Sequence, residues 1–313
     1  MTKVANAFTT YSAVGNREDL TELISNVSPL EAPAFDRWQS VKAKARLHEW
    51  QTDALAAAGA NANIEGATFS GVARTATTRY NNTCQLMIKQ FSISDTQEIV
   101  DKAGRKSEKS YQRTKAMKEL KRDAEFAIFA SAATVSVSGS TGEEATAPEF
   151  KSVNGWQVAV VGQTGSVGGG GVGSGNGTTA TLGEATFNAE IQRAWDNGAR
   201  INTVYTNGSL KRLISGWGVS TSRPRDVGTG TRLVNVVDFY MTDFGEVEVV
   251  LDRYVASSQM FLLDDNLWAK AFLVPTRETP IAKTGLADNV MIWNQWTIEA
   301  RNPTGNAMLW SRP

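Results

Sequence analysis

The stretch SDTQEIVDKAGRKSEKSYQRTKAMKELKRDAEFAIFAS, residues 94–131, decides the fold. It opens with two overlapping capping boxes, Ser94 with Gln97 and Asp95 with Glu98, each suited to the free N–H groups of a first helical turn. From there to Ser131 it holds no proline and a single glycine, Gly104. A continuous helix here has roughly 37 residues and spans about 55 Å at 1.5 Å per residue. An ordinary globular helix has about 11 or 12 residues. The first half is charged nearly all round (Lys102, Arg105, Lys106, Glu108, Lys109, Arg113, Lys115). The second half carries an apolar stripe at Met117, Leu120, Ala124, Ala127 and Ile128. Gly104 is where a first short turn can split off. Such a helix is partly core and partly strut.

Upstream, residues 46–53 and 79–93 read as strands, the second carrying Leu86, Ile88, Phe91 and Ile93. Between them Ala54–Ala73 is mostly Ala, Gly, Asn, Thr and Ser, with Ile64 and Phe69 as its main large apolar side chains. The reading is a long hairpin with a tip that has no core of its own. A lone two-stranded ribbon is marginal in water, which points to a partner. Residues 1–40 resemble an arm: a short amphipathic stretch (Leu20, Leu23, Ile24) precedes Pro29 and Pro33, which interrupt any long helix. It too needs a neighbour to lie on.

Downstream, residues 132–182 are irregular, and nine of the 27 glycines fall between Gly162 and Gly177. From Leu182 the chain reads as compact α/β structure. A helix with Phe187, Ile191 and Trp195 on one face ends at Gly198, and a strand follows at Ile201–Tyr205. Ser209 is placed to cap a helix bearing Leu210, Leu213, Ile214 and Trp217. Leu233–Met241 and Glu246–Leu251 alternate about the turn Asp243-Phe244-Gly245. Further strands are expected at Gln259–Leu263, Ala269–Val274 and Val290–Ala300.

The chain has 313 residues, 32 Lys plus Arg and 32 Asp plus Glu, so its net charge is zero with the one histidine neutral. That balance argues against a dedicated nucleic-acid binder. Hydrophobic residues at 41% fit a globular protein of two domains. A single cysteine, Cys84, excludes an internal disulfide and a multi-cysteine metal centre. The apolar runs are too short for a membrane-spanning helix, and a soluble protein of a reducing compartment is expected. One histidine, His48, removes most catalytic triads.

The remaining motifs weigh mostly against catalysis. Gly168, Gly170 and Gly173 fit G-x-G-x-x-G behind a possible strand at Trp156–Val161. The helix that must follow starts only near Leu182, and Glu190 lies inside it, so a dinucleotide site is a poor fit. Asp243-Phe244-Gly245 matches the kinase triplet without an H-R-D loop, and a hairpin turn explains it better. Asp264 and Asp265, if in a strand, point to opposite faces and cannot chelate together. Four N-x-[ST] sequons at Asn26, Asn81, Asn176 and Asn207 mean nothing without secretion. His48 and Cys84 can face each other across the hairpin, but no third group orients them. The helix lysines and arginines, interleaved with Glu and Asp, read as a solvated or subunit-contacting face.

Tyr11–Leu20, Val27–Pro33, His48–Asp53, Asp101–Glu108, Lys118–Glu125, Asp243–Gly245 and Ile281–Gly285, in that order, resemble a family of tailed-bacteriophage major capsid proteins. The resemblance implies an α+β chain of the Hong Kong 97-type capsid fold. Residues 1–40 would be the N-terminal arm and 41–93 the extended loop. Residues 94–131 and 271–313 would be the peripheral domain with its spine helix, and 132–270 the axial domain. It implies hexamers and pentamers closed into an icosahedral head around double-stranded DNA contacted non-specifically, with scaffolding and portal proteins as assembly partners. A virion location after assembly in the host cytoplasm follows, with no active site, cofactor, metal, membrane or small-molecule substrate. The candidate subunit-interface residues are His48, Trp50, Ile64, Phe69, Arg105, Lys109 and Arg113. Two readings compete: a cellular nanocompartment shell of the same fold, and a nucleotide-binding enzyme using the Gly-rich loop.

Overall fold

The computed structural model describes residues 28–66, 68, 71, 74–130, 139–144, 146–159, 182–217, 239–283 and 285–310. In order these form α1 (Pro33–Arg37), β1 (Gln39–Lys42), β2 (Leu47–Thr52), β3 (Thr78–Thr83), β4 (Gln85–Ser94), α2 (Asp95–Ile99) and α3 (Glu108–Ile128). Then come α4 (Val153–Ala159), α5 (Glu184–Asp196), β5 (Thr203–Thr206), α6 (Gly208–Trp217), β6 (Phe239–Thr242) and β7 (Gly245–Leu251). β8 (Gln259–Leu263), β9 (Trp268–Ile281), β10 (Ala287–Ala300) and β11 (Ala307–Trp310) complete the chain. One sheet runs β1-β9-β10-β4, a second β11-β8-β5-β7-β6, and β2 pairs with β3 alone.

The stretch 94–131 is not one continuous helix: a first short helix splits off ahead of Gly104. Ser94 does cap α2, its hydroxyl accepting from Gln97 N–H at 3.3 Å. The helix stops after Ile99, and Gly104 takes φ +75° in the linker, a conformation glycine adopts without a Cβ clash. Ser107 then caps α3, and the Glu98 carboxylate accepts from the N–H groups of Glu108 (3.0 Å) and Lys109 (3.3 Å). Residues 101–107 carry no large apolar side chain to hold a continuous helix against the core, so capping wins over propagation. The 21 residues of α3 span about 32 Å rather than 55 Å. Its buried stripe is Ala116, Leu120, Ala124 and Ile128. Met117, expected on that stripe, is 42% exposed.

Residues 79–93 likewise divide. β3 joins β2 in the ribbon, whereas β4 pairs antiparallel with β10 from Gln85↔Trp296 to Ser94↔Ala287. Cys84, fully buried between them, sits where the chain leaves one sheet for the other. β9 and β10 form a hairpin of two 14-residue strands, with irregular register where Phe272–Arg277 lies opposite Trp293–Trp296. Pro275 lies at that irregularity and has no N–H for the ladder. Asn294 Nδ2 donates to Thr276 Oγ1 at 3.2 Å across it.

In the five-stranded sheet the Asp243-Phe244 turn joins β6 to β7 as expected, and Gly245 has φ +135° with Arg200 where a Cβ would stand. The other corrections are local. Residues 153–159 are helix α4, not a strand. Trp195 on α5 is 57% exposed, although Phe187 and Ile191 are buried. The Asn207 carboxamide, not Ser209, caps α6 by accepting from Ser209 N–H at 3.4 Å. Asp264 and Asp265 begin a 3-10 turn, outside any strand.

One core joins α3 to both sheets. Trp296, Trp268, Phe129, Tyr205 and Phe261 are fully buried in it, and Met308 of β11 reaches it from the end of the chain. A second core lies between α5, α6 and the other face of the five-stranded sheet, around Phe187, Val204 and Leu262.

Candidate subunit interface

The ribbon β2–β3 is held at its base, and the described residues of its tip are exposed. His48 Nε2 meets Glu299 Oε2 at 3.2 Å, and Trp50 Nε1 donates to the Ala300 carbonyl at 2.9 Å. The Trp50 ring lies 5.4 Å from Trp156 and 6.4 Å from Tyr80, so β2 is pinned to the end of β10 and to α4. The His48 contact, with Arg301 Nε at 3.0 Å behind it, holds the Glu299 carboxyl below its ordinary pKa. Asn82 Nδ2 donates to the Ile298 carbonyl at 2.9 Å, and Asn82 Oδ1 accepts from Lys151 N–H at 2.8 Å. Beyond Thr52 the described residues 53–66 form no helix or strand, and Leu55 (98% exposed) and Ile64 (80%) stand out into solvent. Phe69 lies outside the described residues.

The basic candidates on α3 and in the linker before it have partners within the chain. Lys109 Nζ reaches Asp288 at 3.0 Å and Arg113 pairs with Glu278, tying α3 to the β9–β10 hairpin. Arg105 pairs with Glu108 at 2.5 Å and its guanidinium lies 5.0 Å from the Tyr111 ring centroid. The structure thus gathers Lys109 and Arg113 at one hairpin and keeps His48 and Trp50 at another end of the sheet. His48 and Cys84 do not meet: the thiol faces the Ala45 carbonyl at 3.6 Å, among Ala43 and Ala271. Among the described residues no group of three or more His, Cys, Asp or Glu side chains could hold a metal ion. Gly168, Gly170 and Gly173 lie outside the described residues, and the strand needed before them is α4 instead. Glu190, the candidate ribose ligand, is buried on α5 and pairs with Arg193 at 2.8 Å.

Sequence reasoning missed the joint built by residues 31–38. The N–H groups of Ala34 and Phe35 both donate to the buried Glu125 carboxylate on α3, each at 2.8 Å. Phe35 stands edge-on to Trp296 at 5.4 Å, and Trp38 stacks on Trp268 at 5.3 Å. Trp38 Nε1 and Tyr205 Oη both donate to Asp265 Oδ1, at 3.0 and 2.9 Å. Arg37 grips Glu248 of β7 through both terminal nitrogens. This segment therefore ties α3 and the four-stranded sheet to the five-stranded one. The available signal was two aromatic residues, Phe35 and Trp38, directly behind Pro33.

This arrangement of exposed ribbon, strut-like helix and two sheets sharing one core is similar to solved phage capsid chains. The cyanophage A-1(L) capsid subunit superposes with a TM-score of 0.69 at 12% identity, over 97% of this chain and 98% of that one. The Microbacterium phage Oxtober96 chain gives 0.62 at 12%, covering 95% and 96%. At such identity these likenesses establish the Hong Kong 97-type fold. In sequence, the major capsid protein of Escherichia phage Phieco32 is 22% identical over 347 aligned positions, 97% of this chain and 96% of that protein. A family model described as SU10 major capsid protein matches residues 3–311. With fold and nearly full-length sequence in agreement, the chain belongs to the SU10 major capsid protein family.

Proposed function

We propose that copies of this chain assemble as hexamers and pentamers into an icosahedral head around double-stranded DNA. Family membership supports a shell of like subunits and favours DNA over a protein cargo. In this reading residues 1–40 are an arm, 41–93 the extended loop, 94–131 and 271–313 the peripheral domain, and 132–270 the axial domain. The pairing of β11 with β8 carries the last strand across to the axial sheet. Scaffolding and portal proteins take part in assembly, which occurs in the host cytoplasm.

The observation that carries the proposal is the ribbon pinned at His48 and Trp50 with Leu55 and Ile64 exposed at its far end. A side chain such as Ile64 contributes about 1.5–3 kcal/mol when fully buried, and a neighbouring subunit would bury it. Ile64 and Phe69 are the anchors, His48 and Trp50 aim them, and Arg105, Lys109 and Arg113 mark the helix end turned to the next subunit.

Sedimentation and negative-stain imaging of the purified protein test the reading. Megadalton capsomers, shells, tubes or sheets are expected, and a sharp monomer under several salt conditions would overturn it. Deleting residues 56–70 should leave the circular dichroism of the subunit intact and abolish shells. Normal shells from the deletion would remove the loop tip from assembly.

A further inference from the structure

A groove of about 690 Å³ runs along α3. Arg105, Lys106, Lys115, Lys118 and Arg122 line it, against one carboxylate, Glu119. The stripe Ala116, Leu120, Ala124 is buried in the core, and Lys118 and Arg122 each follow a member of it by two residues, about 200° around the helix. The groove therefore occupies the side of α3 turned away from both sheets. Arg105 is engaged by Glu108, and Lys115 lies 3.9 Å from Glu119. Lys106, Lys118 and Arg122 make no ion pair among the described residues. On a chain of zero net charge, five cations against one carboxylate in a single groove form a local basic surface.

We propose that this groove binds the phosphate backbone of duplex DNA, so that the α3 face opposite the core lines the interior of the shell. The inference rests on the capsid reading above and assigns the DNA contact to particular side chains. A repeating anion suits cations spaced along one helix face: Lys115, Lys118 and Arg122 step by three and four residues, about 4.5 and 6 Å along the axis. The helix lies side-on and offers ammonium and guanidinium groups to phosphates, which holds the duplex without sequence readout. That is what a wall must do against a genome of any sequence.

The test uses purified full-length protein in its unassembled form and a fluorescent 30-bp duplex of arbitrary sequence, with binding followed by anisotropy over a range of salt. In the triple variant Lys106→Gln/Lys118→Gln/Arg122→Gln the slope of log K against log salt should fall by up to about 2.7, at about 0.9 for each phosphate no longer neutralised. A control of equal charge change, Lys42→Gln/Lys44→Gln/Arg46→Gln, alters exposed cations outside the groove and should leave the slope nearly unchanged. An unchanged slope in the groove variant, or an equal fall in the control, overturns the proposal. The double variant Lys106→Gln/Lys118→Gln, confined to two exposed lysines, decides the matter if the triple variant melts early. Imaging the wild type separates the two readings: shells with an unaffected slope refute the groove alone, whereas no assembly under any condition refutes the capsid.

Discussion

Glu125 of α3 and Asp252, the residue after β7, bring two carboxyl groups together in the interior: Glu125 is fully buried and Asp252 is 2% exposed. Glu125 already accepts two backbone N–H groups from the α1 segment, and Asp252 accepts from Tyr254 N–H at 2.8 Å. Burial first, then the neighbouring acid, pushes the Glu125 carboxyl up to about 8. Asp252 is raised as well, burial being the main cause. Two adjacent carboxylates cannot both ionise cheaply, so the pair keeps a shared proton. Lys270, Tyr205, Tyr254 and Glu31 are titratable groups that interact with it.

The pair makes stability fall as pH rises. A folded state that binds a proton more tightly than the unfolded one gives a negative slope of unfolding free energy between the two pKa values. Here that window runs from about 4.5 to about 8, and Glu125 contributes no further change above it. At about 1.4 kcal/mol per pKa unit, the loss is on the order of 5 kcal/mol. Asp252→Asn supplies a permanent N–H donor toward Glu125 and should flatten that slope. Denaturant titrations at pH 5, 6.5 and 8 check it. Parallel curves for variant and wild type would refute the shared proton.

Glu299 behaves oppositely. Its lowered pKa, owed first to His48, gives stability that is present above about 4.5 and lost as pH falls through the folded value. Glu299→Gln should therefore reduce the acid sensitivity of the ribbon base. Amide exchange of residues 47–52 and 78–83, compared at pH 4 and pH 6, reads this locally. Equal pH dependence in both proteins would count against the pairing.

Trp296 is fully buried and lies within 4.9–6.0 Å, ring centroid to ring centroid, of Phe35, Phe150 and Phe272. Trp296→Ala should cost about 3–5 kcal/mol in chemical denaturation, because three aromatic rings on separate segments of the chain cannot collapse into one void. A loss under about 1 kcal/mol would mean that the docked α1 segment is not part of the core.

Cys84 is buried and its thiol is pushed up to about 11 by desolvation. The folded protein should resist maleimide at neutral pH, and denaturation should restore one reactive thiol per chain. Rapid native labelling would show that the ribbon base opens readily.

Much of the architecture follows from local pattern. β8 falls at Gln259–Leu263, β2 lies within 46–53, and the β6–β7 turn stands at Asp243-Phe244. Alternation, turn residues and capping act over a few positions, so they are written in consecutive residues. The ribbon's unprotected tip was equally legible, because a run of small residues has nothing with which to build a core. The division of 79–93 at Cys84 and the exposure of Met117 were settled only by what lies across from each segment. The joint is the clearest case. Glu125 sits in a charged run that reads as solvated helix surface, yet it is buried because the N–H groups of Ala34 and Phe35, some 90 positions earlier in the chain, close on it. A contact of that sequence separation leaves no periodicity to read, and only the packed tertiary structure, by bringing those donors to a desolvated carboxylate, decides that it exists.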